Sequence, residues 1–217
     1  MISKSGLEKM LSFFDMTIGD RKSELEYRNP YTFATAVLLS AQATDKSVNI
    51  ATKDLFEAAD NPKAMRALGP ERVKKYIKSI GLFNNKAKNI IAMADMLIEK
   101  FGGELPKTRD GLMSLPGIGR KSANVIMNEL YGAPTIGVDT HVMRLAHRLG
   151  MAPEDADTPE KVEAILEKTI PGKFKPFISN YLVLHGRYTC TARNPKCGEC
   201  GIKSLCEFRK SIPPASE

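Results

Sequence analysis

The sequence predicts an all-α protein, on three observations. Apolar residues recur at helical spacing in segment after segment. No stretch alternates apolar and polar residues with a period of two. The periodic segments are joined by short turns of Gly, Pro and Asn. The chain has 217 residues, 42% of them hydrophobic, which is enough to bury a sizeable core and is unlike a disordered polymer.

Taken in order, Phe33, Ala36 and Val37 share one helical face, and Ile90, Ala94, Leu97 and Phe101 share another. Ala123, Ile126, Met127 and Leu130 repeat at i, i+3, i+4 and i+7, as do Val142, Leu145, Ala146 and Leu149. Val162, Ile165 and Leu166 predict a helix after Thr158-Pro159-Glu160, with Thr158 as cap and Pro159 at the first helical position. Between the apolar run ending at Leu39 and a helix expected from Ser47 lies a small, polar interruption, Ser40-Ala41-Gln42-Ala43-Thr44-Asp45. The segment after Lys210 is expected to fray. No apolar run is long enough to span a bilayer, and the N-terminus lacks the apolar core of a signal peptide. A cytoplasmic, nucleoid-associated location without membrane contact is expected.

Formal charge is +7, and its distribution says more than its total. From Lys63 to Lys100 there are nine Lys or Arg against Glu71, Asp95 and Glu99, a net +6. Such a stretch is either a solvated helix face or a footprint that follows phosphates.

Leu115-Pro116-Gly117-Ile118-Gly119 has the form of a hairpin between two helices. Glycines permit positive φ and close backbone approach, and Ile118 between them can anchor the turn inward. The helix starting near Arg120 offers free N–H groups and a positive dipole end to a phosphate. An ordinary tight turn is the competing reading.

Lys121 follows directly. It is either another phosphate contact or a nucleophile. An amine attacks carbon only when neutral, so the second role needs a depressed pKa, to which partial burial, the helix N-terminus and Arg120 would contribute. It also calls for a carboxylate. Asp139 stands 18 residues on, beyond a helix and the turn Tyr131-Gly132-Ala133-Pro134. Asp139 is equally well placed to cap the helix beginning Thr140-His141-Val142. His141 either lines the same pocket or packs; His147 and His185 read as structural.

All four cysteines fall between Cys190 and Cys206, spaced Cys190-x6-Cys197-x2-Cys200-x5-Cys206. A disulfide framework is not expected in a chain with so long a cysteine-free core. Zinc favours two close pairs, and only the middle pair here is close. The set suits a [4Fe–4S] cluster better, with zinc as the alternative. Arg187, Arg193, Lys196 and Lys203 are expected to offset the charge of the thiolates.

Together these residues resemble a known family. Leu115 through Asn124 followed by Val138-Asp139-Thr140-His141 looks like the helix-hairpin-helix and Gly-Pro-Asp signature of endonuclease III. The likeness extends through Leu38–Asp45, Ile80-Gly81-Leu82 and His185–Cys190, and covers about residues 20 to 208. It implies two helical domains with DNA in the cleft between them. One is a six-helix barrel over 22–133 carrying the hairpin. The other combines 1–21 with 134–217 and holds a [4Fe–4S] cluster on Cys190, Cys197, Cys200 and Cys206. The implied activity is base-excision repair: a bifunctional DNA glycosylase and AP lyase that removes oxidised pyrimidines from double-stranded DNA as a monomer. Lys121 would be the Schiff-base nucleophile and Asp139 the essential carboxylate. Gln42 would fill the space of the extruded nucleotide and Leu82 would wedge into the opposite strand. Leu115, Gly117, Ile118, Gly119, Arg120 and His141 would contact DNA. From the residues alone, Leu82 reads as core packing and Gln42 as a solvated helix start.

Overall fold

The computed structural model of the chain describes residues 1–19 and 23–211. Every regular element among them is helical, with no strand. The segment expected to fray lies, from residue 212 onward, outside the described residues. The chain divides into two compact units, Ser23–Ala133 and a second composed of Met1–Lys22 with Pro134–Glu217.

Ser23–Ala133 carries six helices: α2 (Pro30–Leu39), α3 (Asp45–Ala58), α4 (Pro62–Ile77), α5 (Phe83–Lys100), α6 (Arg109–Met113) and α7 (Arg120–Tyr131). Helix α2 starts at a capping box: the Asn29 side chain accepts from the Thr32 backbone N–H, and Pro30 occupies the first turn. It is buried from Tyr31 to Leu39 and forms the spine of this unit. Helix α5 buries Ile90, Ala94 and Leu97, as the periodicity predicts. Helix α4 is interrupted at Gly69, whose φ of 70° lies outside helical space; Pro70 then restarts it.

The second unit holds α1 (Lys4–Ile18), α8 (Thr140–Arg148), α9 (Pro159–Thr169), α10 (Lys175–Tyr188) and α11 (Glu207–Ser211). Thr158 caps α9 and Pro159 opens it, as expected. Leu7, Met10, Leu11 and Phe14 on α1 line a separate core with Val142 and Leu145 of α8 and Ile178, Tyr181 and Leu182 of α10. Phe14 is central to it, with ring centroids 5.9 Å from Tyr181 and 5.2 Å from His185. The Tyr181 hydroxyl donates to Asp15 Oδ1 at 2.8 Å, which fastens α1 to α10. No helix among the described residues is long and apolar enough to cross a membrane.

Because Phe14 is fully buried, Phe14→Ala is expected to destabilise the protein by about 3–5 kcal/mol through lost burial and a residual cavity. Urea unfolding measures this; a change under about 1 kcal/mol would mean that α1 is not part of the core.

Candidate functional site

The hairpin forms between α6 and α7. Thr108 caps α6 through its hydroxyl, and the turn closes with the Ile118 N–H donating to the Leu115 carbonyl at 3.1 Å. Leu115 and Ile118 are both buried, so Ile118 anchors the turn inward as expected. The two glycines do different work. Gly117 has φ +82°, and a Cβ there would stand 2.8 Å from Leu38 Cδ1 and 3.0 Å from Asn89 Nδ2. Gly119 is extended, with φ −89°, and has nothing near an added Cβ. It is the N-cap of α7 and supplies no capping side chain. The start of α7 thus lacks the side-chain cap found at most other helix starts, and a helix N-terminus of this kind suits an anion.

Lys121 is the second residue of α7 and is exposed. The partial burial expected for it is not observed. It stands at the positive end of the helix dipole.

Gln42 and Leu82 lie in the same unit as Lys121. They are the two non-glycine residues with positive φ among the described residues, at 55° and 60°. Left-handed backbone costs an L-residue about 1–2 kcal/mol. Such strain persists where surrounding structure enforces it, and it clusters at functional positions. Leu82 is also 59% exposed, which overturns its reading as core packing. It stands as N-cap of α5 with no side-chain capping bond.

In the other unit, Asp139 does cap α8. Its Oδ1 accepts from the backbone N–H groups of His141 at 2.8 Å and Val142 at 2.9 Å. Its Oδ2 lies 3.8 Å from His141 Nδ1. One oxygen thus holds the helix while the other is directed to a titratable ring.

The cysteine loop is held mainly from α8. Arg148 donates to the carbonyls of Thr191 and Ala192, each at 2.8 Å, and approaches Cys190 Sγ at 3.4 Å. Its guanidinium also stacks over Phe208, 4.4 Å from the ring centroid. Arg144 donates to the carbonyls of Gly186 and Cys190. Sequence reasoning missed both arginines and looked instead to basic residues within the loop, of which Lys203 donates to the Gly198 carbonyl at 3.0 Å. His185, expected to be structural, brings Nε2 to 3.7 Å from Cys200 Sγ, and burial lowers its pKa to about 4.

None of the four cysteines is in a disulfide, and all four line one pocket with His185. Burial pushes the Cys200 and Cys206 thiols up, and mutual repulsion among the thiolates adds to this. Among the described residues, no three His, Cys, Asp or Glu side chains converge tightly enough for a single metal ion. Four thiols lining one pocket supply the four thiolate ligands that a [4Fe–4S] cluster takes.

The glycines and cysteines yield two predictions. Gly117→Ala is expected to lower stability by about 1–3 kcal/mol, through positive φ and the clash with Leu38, while Gly119→Ala changes it by under about 1 kcal/mol. Thermal melts compare them, and equal losses would contradict the division of labour. Metal analysis is expected to find iron and acid-labile sulfide in the purified chain, both lost in Cys197→Ala; stoichiometric zinc would contradict the cluster.

Comparison with known proteins agrees with this geometry. Residues 35–172 match the model of the HhH-GPD superfamily base excision DNA repair protein, and residues 190–206 match that of the iron-sulfur binding domain of endonuclease III. Endonuclease III of Rickettsia conorii is 50% identical over 202 residues, covering 93% of this chain and 95% of the relative. That of Escherichia coli K12 is 50% identical over 190 residues, covering 88% and 89%. A solved structure described as a trapped endonuclease III–DNA covalent intermediate superposes with a TM-score of 0.91 at 42% identity, covering 97% of this chain and 98% of that one. A thermostable thymine-DNA glycosylase shares the fold, with a TM-score of 0.85 at 22% identity. With this sequence likeness running almost from end to end, the chain belongs to the HhH-GPD superfamily of base excision DNA repair proteins and, within it, to the endonuclease III family of bifunctional DNA glycosylase/AP lyases.

Proposed function

We propose that this enzyme removes oxidised pyrimidines from double-stranded DNA with the amine of Lys121 as nucleophile, then nicks the strand 3′ of the abasic site. The observation that carries this reading is the placement of Lys121. It is the second residue of α7, one past Arg120, in a helix whose glycine cap has no side chain to occupy the terminus. A backbone phosphate bound there would hold the neighbouring sugar beside the amine. The solved relative trapped as a covalent intermediate with DNA supports covalent chemistry in the family.

In the proposed sequence, the neutral Lys121 amine attacks C1′ of an extruded nucleotide. The C1′–N bond breaks, and the base departs with that electron pair and takes up a proton. The sugar opens to a Schiff base on Lys121. Loss of the C2′ proton then expels the 3′ phosphate by β-elimination. Asp139 assists as the carboxylate: it offsets positive charge at the sugar and relays protons, while one of its oxygens caps α8. His141, Arg120 and the hairpin main chain at Leu115, Gly117, Ile118 and Gly119 contact the DNA backbone, which positions the enzyme without reading sequence.

Extrusion of a base costs a few kcal/mol of pairing and stacking. Gln42 fills the vacated space and Leu82 wedges into the opposite strand. Their left-handed backbones and the exposure of Leu82 support these roles. The two helical units are assigned as the hairpin domain and the iron–sulfur domain. When bound, the cluster ties four points of the loop together and so holds a second DNA-facing surface in shape. The enzyme acts as a monomer in the nucleoid.

Borohydride reduction in the presence of DNA carrying an oxidised pyrimidine is expected to trap a covalent adduct in the native enzyme and none in Lys121→Gln. Equal trapping by the variant would misplace the nucleophile. Asp139→Asn retains an acceptor for the cap, because Asn and Asp serve nearly equally there. It is expected to fold and bind damaged DNA but turn over at least about a hundredfold more slowly, in the range for a lost acid–base group. Undiminished turnover would leave Asp139 only a cap.

A further inference from the structure

Lys86 lies among the nine basic residues between Lys63 and Lys100, yet it does not face solvent. It is 5% exposed. It occupies the apolar face of α5, at helical spacing from Ile90, Ala94 and Leu97. Its ammonium donates to the Leu39 carbonyl at 2.9 Å and to the Ala41 carbonyl at 2.6 Å. The first of these is the last residue of α2, so the cation sits at a helix C-terminus, where free carbonyls and the dipole favour it. Burial lowers its pKa, and the paired carbonyls supply the compensation that a buried cation requires.

The surroundings of this lysine have more in common than packing. Ala41 immediately precedes Gln42 in the turn closed by the Ala43 N–H donating to the Ser40 carbonyl at 3.1 Å. At the other end, the Lys86 backbone N–H donates to the Leu82 carbonyl at 3.0 Å, in the first turn of α5. One residue therefore bonds directly to the neighbour of one strained residue and to the other strained residue itself. The hairpin meets the same two helices: Gly117 packs against Leu38 of α2 and Asn89 of α5.

We infer that Lys86 is a positioning residue that locks the Gln42 turn to the Leu82 helix start, so that the two enter the duplex as one rigid device. The inference rests on the proposed roles of Gln42 and Leu82. A left-handed turn at Gln42 held only by local bonds would relax toward ordinary φ, and the two side chains would then reach the DNA independently. The clasp removes that freedom before binding, so less ordering is required at the moment of extrusion.

The test separates extrusion from chemistry. Single-turnover base release is measured on an oxidised pyrimidine paired in duplex DNA and on the same lesion in a single strand, each relative to native enzyme on that substrate. Lys86→Met, which keeps the apolar stem, is expected to slow release from the duplex by about tenfold or more, the equivalent of one lost charge-assisted hydrogen bond. On the single strand it stays within about twofold, because nothing there must be unpaired. Lys86→Arg, which retains charge and donors, is expected to recover most of the duplex rate. Gln42→Ala and Leu82→Ala run in the same assay. If neither shows duplex-selective loss, their proposed roles fall, and the clasp with them. If both show it while Lys86→Met matches native enzyme, or loses equally on both substrates, the positioning role alone is overturned. Should Lys86→Met not fold, Lys86→Gln, which keeps one amide donor, replaces it. Intermediate, duplex-selective loss then supports the clasp, and equal loss on both substrates overturns it.

Discussion

The start of α7, which Gly119 leaves without a capping side chain, is the constraint on which the proposed function depends. A helix begins with N–H groups that its own backbone cannot satisfy. Most helix starts in this protein answer them with a side chain: Ser3, Asn29, Thr44, Asn61, Thr108, Asp139 and Thr158 all cap. Helix α7 does not, because Gly119 stands at its cap and brings nothing but backbone. A phosphate is the natural partner for such a terminus, and Lys121 is carried one residue further on. The buried neighbours Leu115 and Ile118 fix the hairpin so that this terminus is held in place.

Other functional candidates follow the same rule of placement. Asp139 is itself a cap, Leu82 is the cap position of α5, and Gln42 lies two residues before the cap of α3. Helix starts expose backbone dipoles and permit non-helical φ while remaining anchored to rigid cylinders behind them. Chemistry at these points gains precision without requiring a long loop. The strain at Gln42 and Leu82 fits this logic, since each is backed by a helix buried in the apolar core of its unit.

Much of this was legible in the sequence. The helical periods located α5, α7, α8 and α9, and the Gly-Ile-Gly string placed the hairpin. Asp139 was readable as a cap because Asp before a helix commonly is one. The cysteine spacing pointed to a cluster because metal ligands are close in sequence. What escaped notice was tertiary. Lys86 counted toward a basic surface, and only the carbonyls at the end of α2, 45 and 47 residues away, show why a charge occupies an apolar face. Its position on the Ile90–Ala94–Leu97 stripe was the available signal. Arg144 and Arg148 were hidden similarly, because their partners lie more than 40 residues downstream. Lys121 was expected to be partly buried and is exposed, because periodicity locates a helix face but not what covers it. Leu82 failed in the opposite sense: an apolar residue near a helix start is usually packed, and here it stands in solvent.

The central claim is that DNA phosphate engages the uncapped N-terminus of α7. The most direct measurement is an amide-resolved NMR titration of ¹⁵N-labelled protein with a short duplex containing an uncleavable abasic-site analogue. The account predicts that the backbone N–H resonances of Gly119, Arg120 and Lys121 shift downfield, as anion-bound amides do, and return as added salt releases the DNA. Saturating DNA that leaves these three resonances unmoved would contradict it.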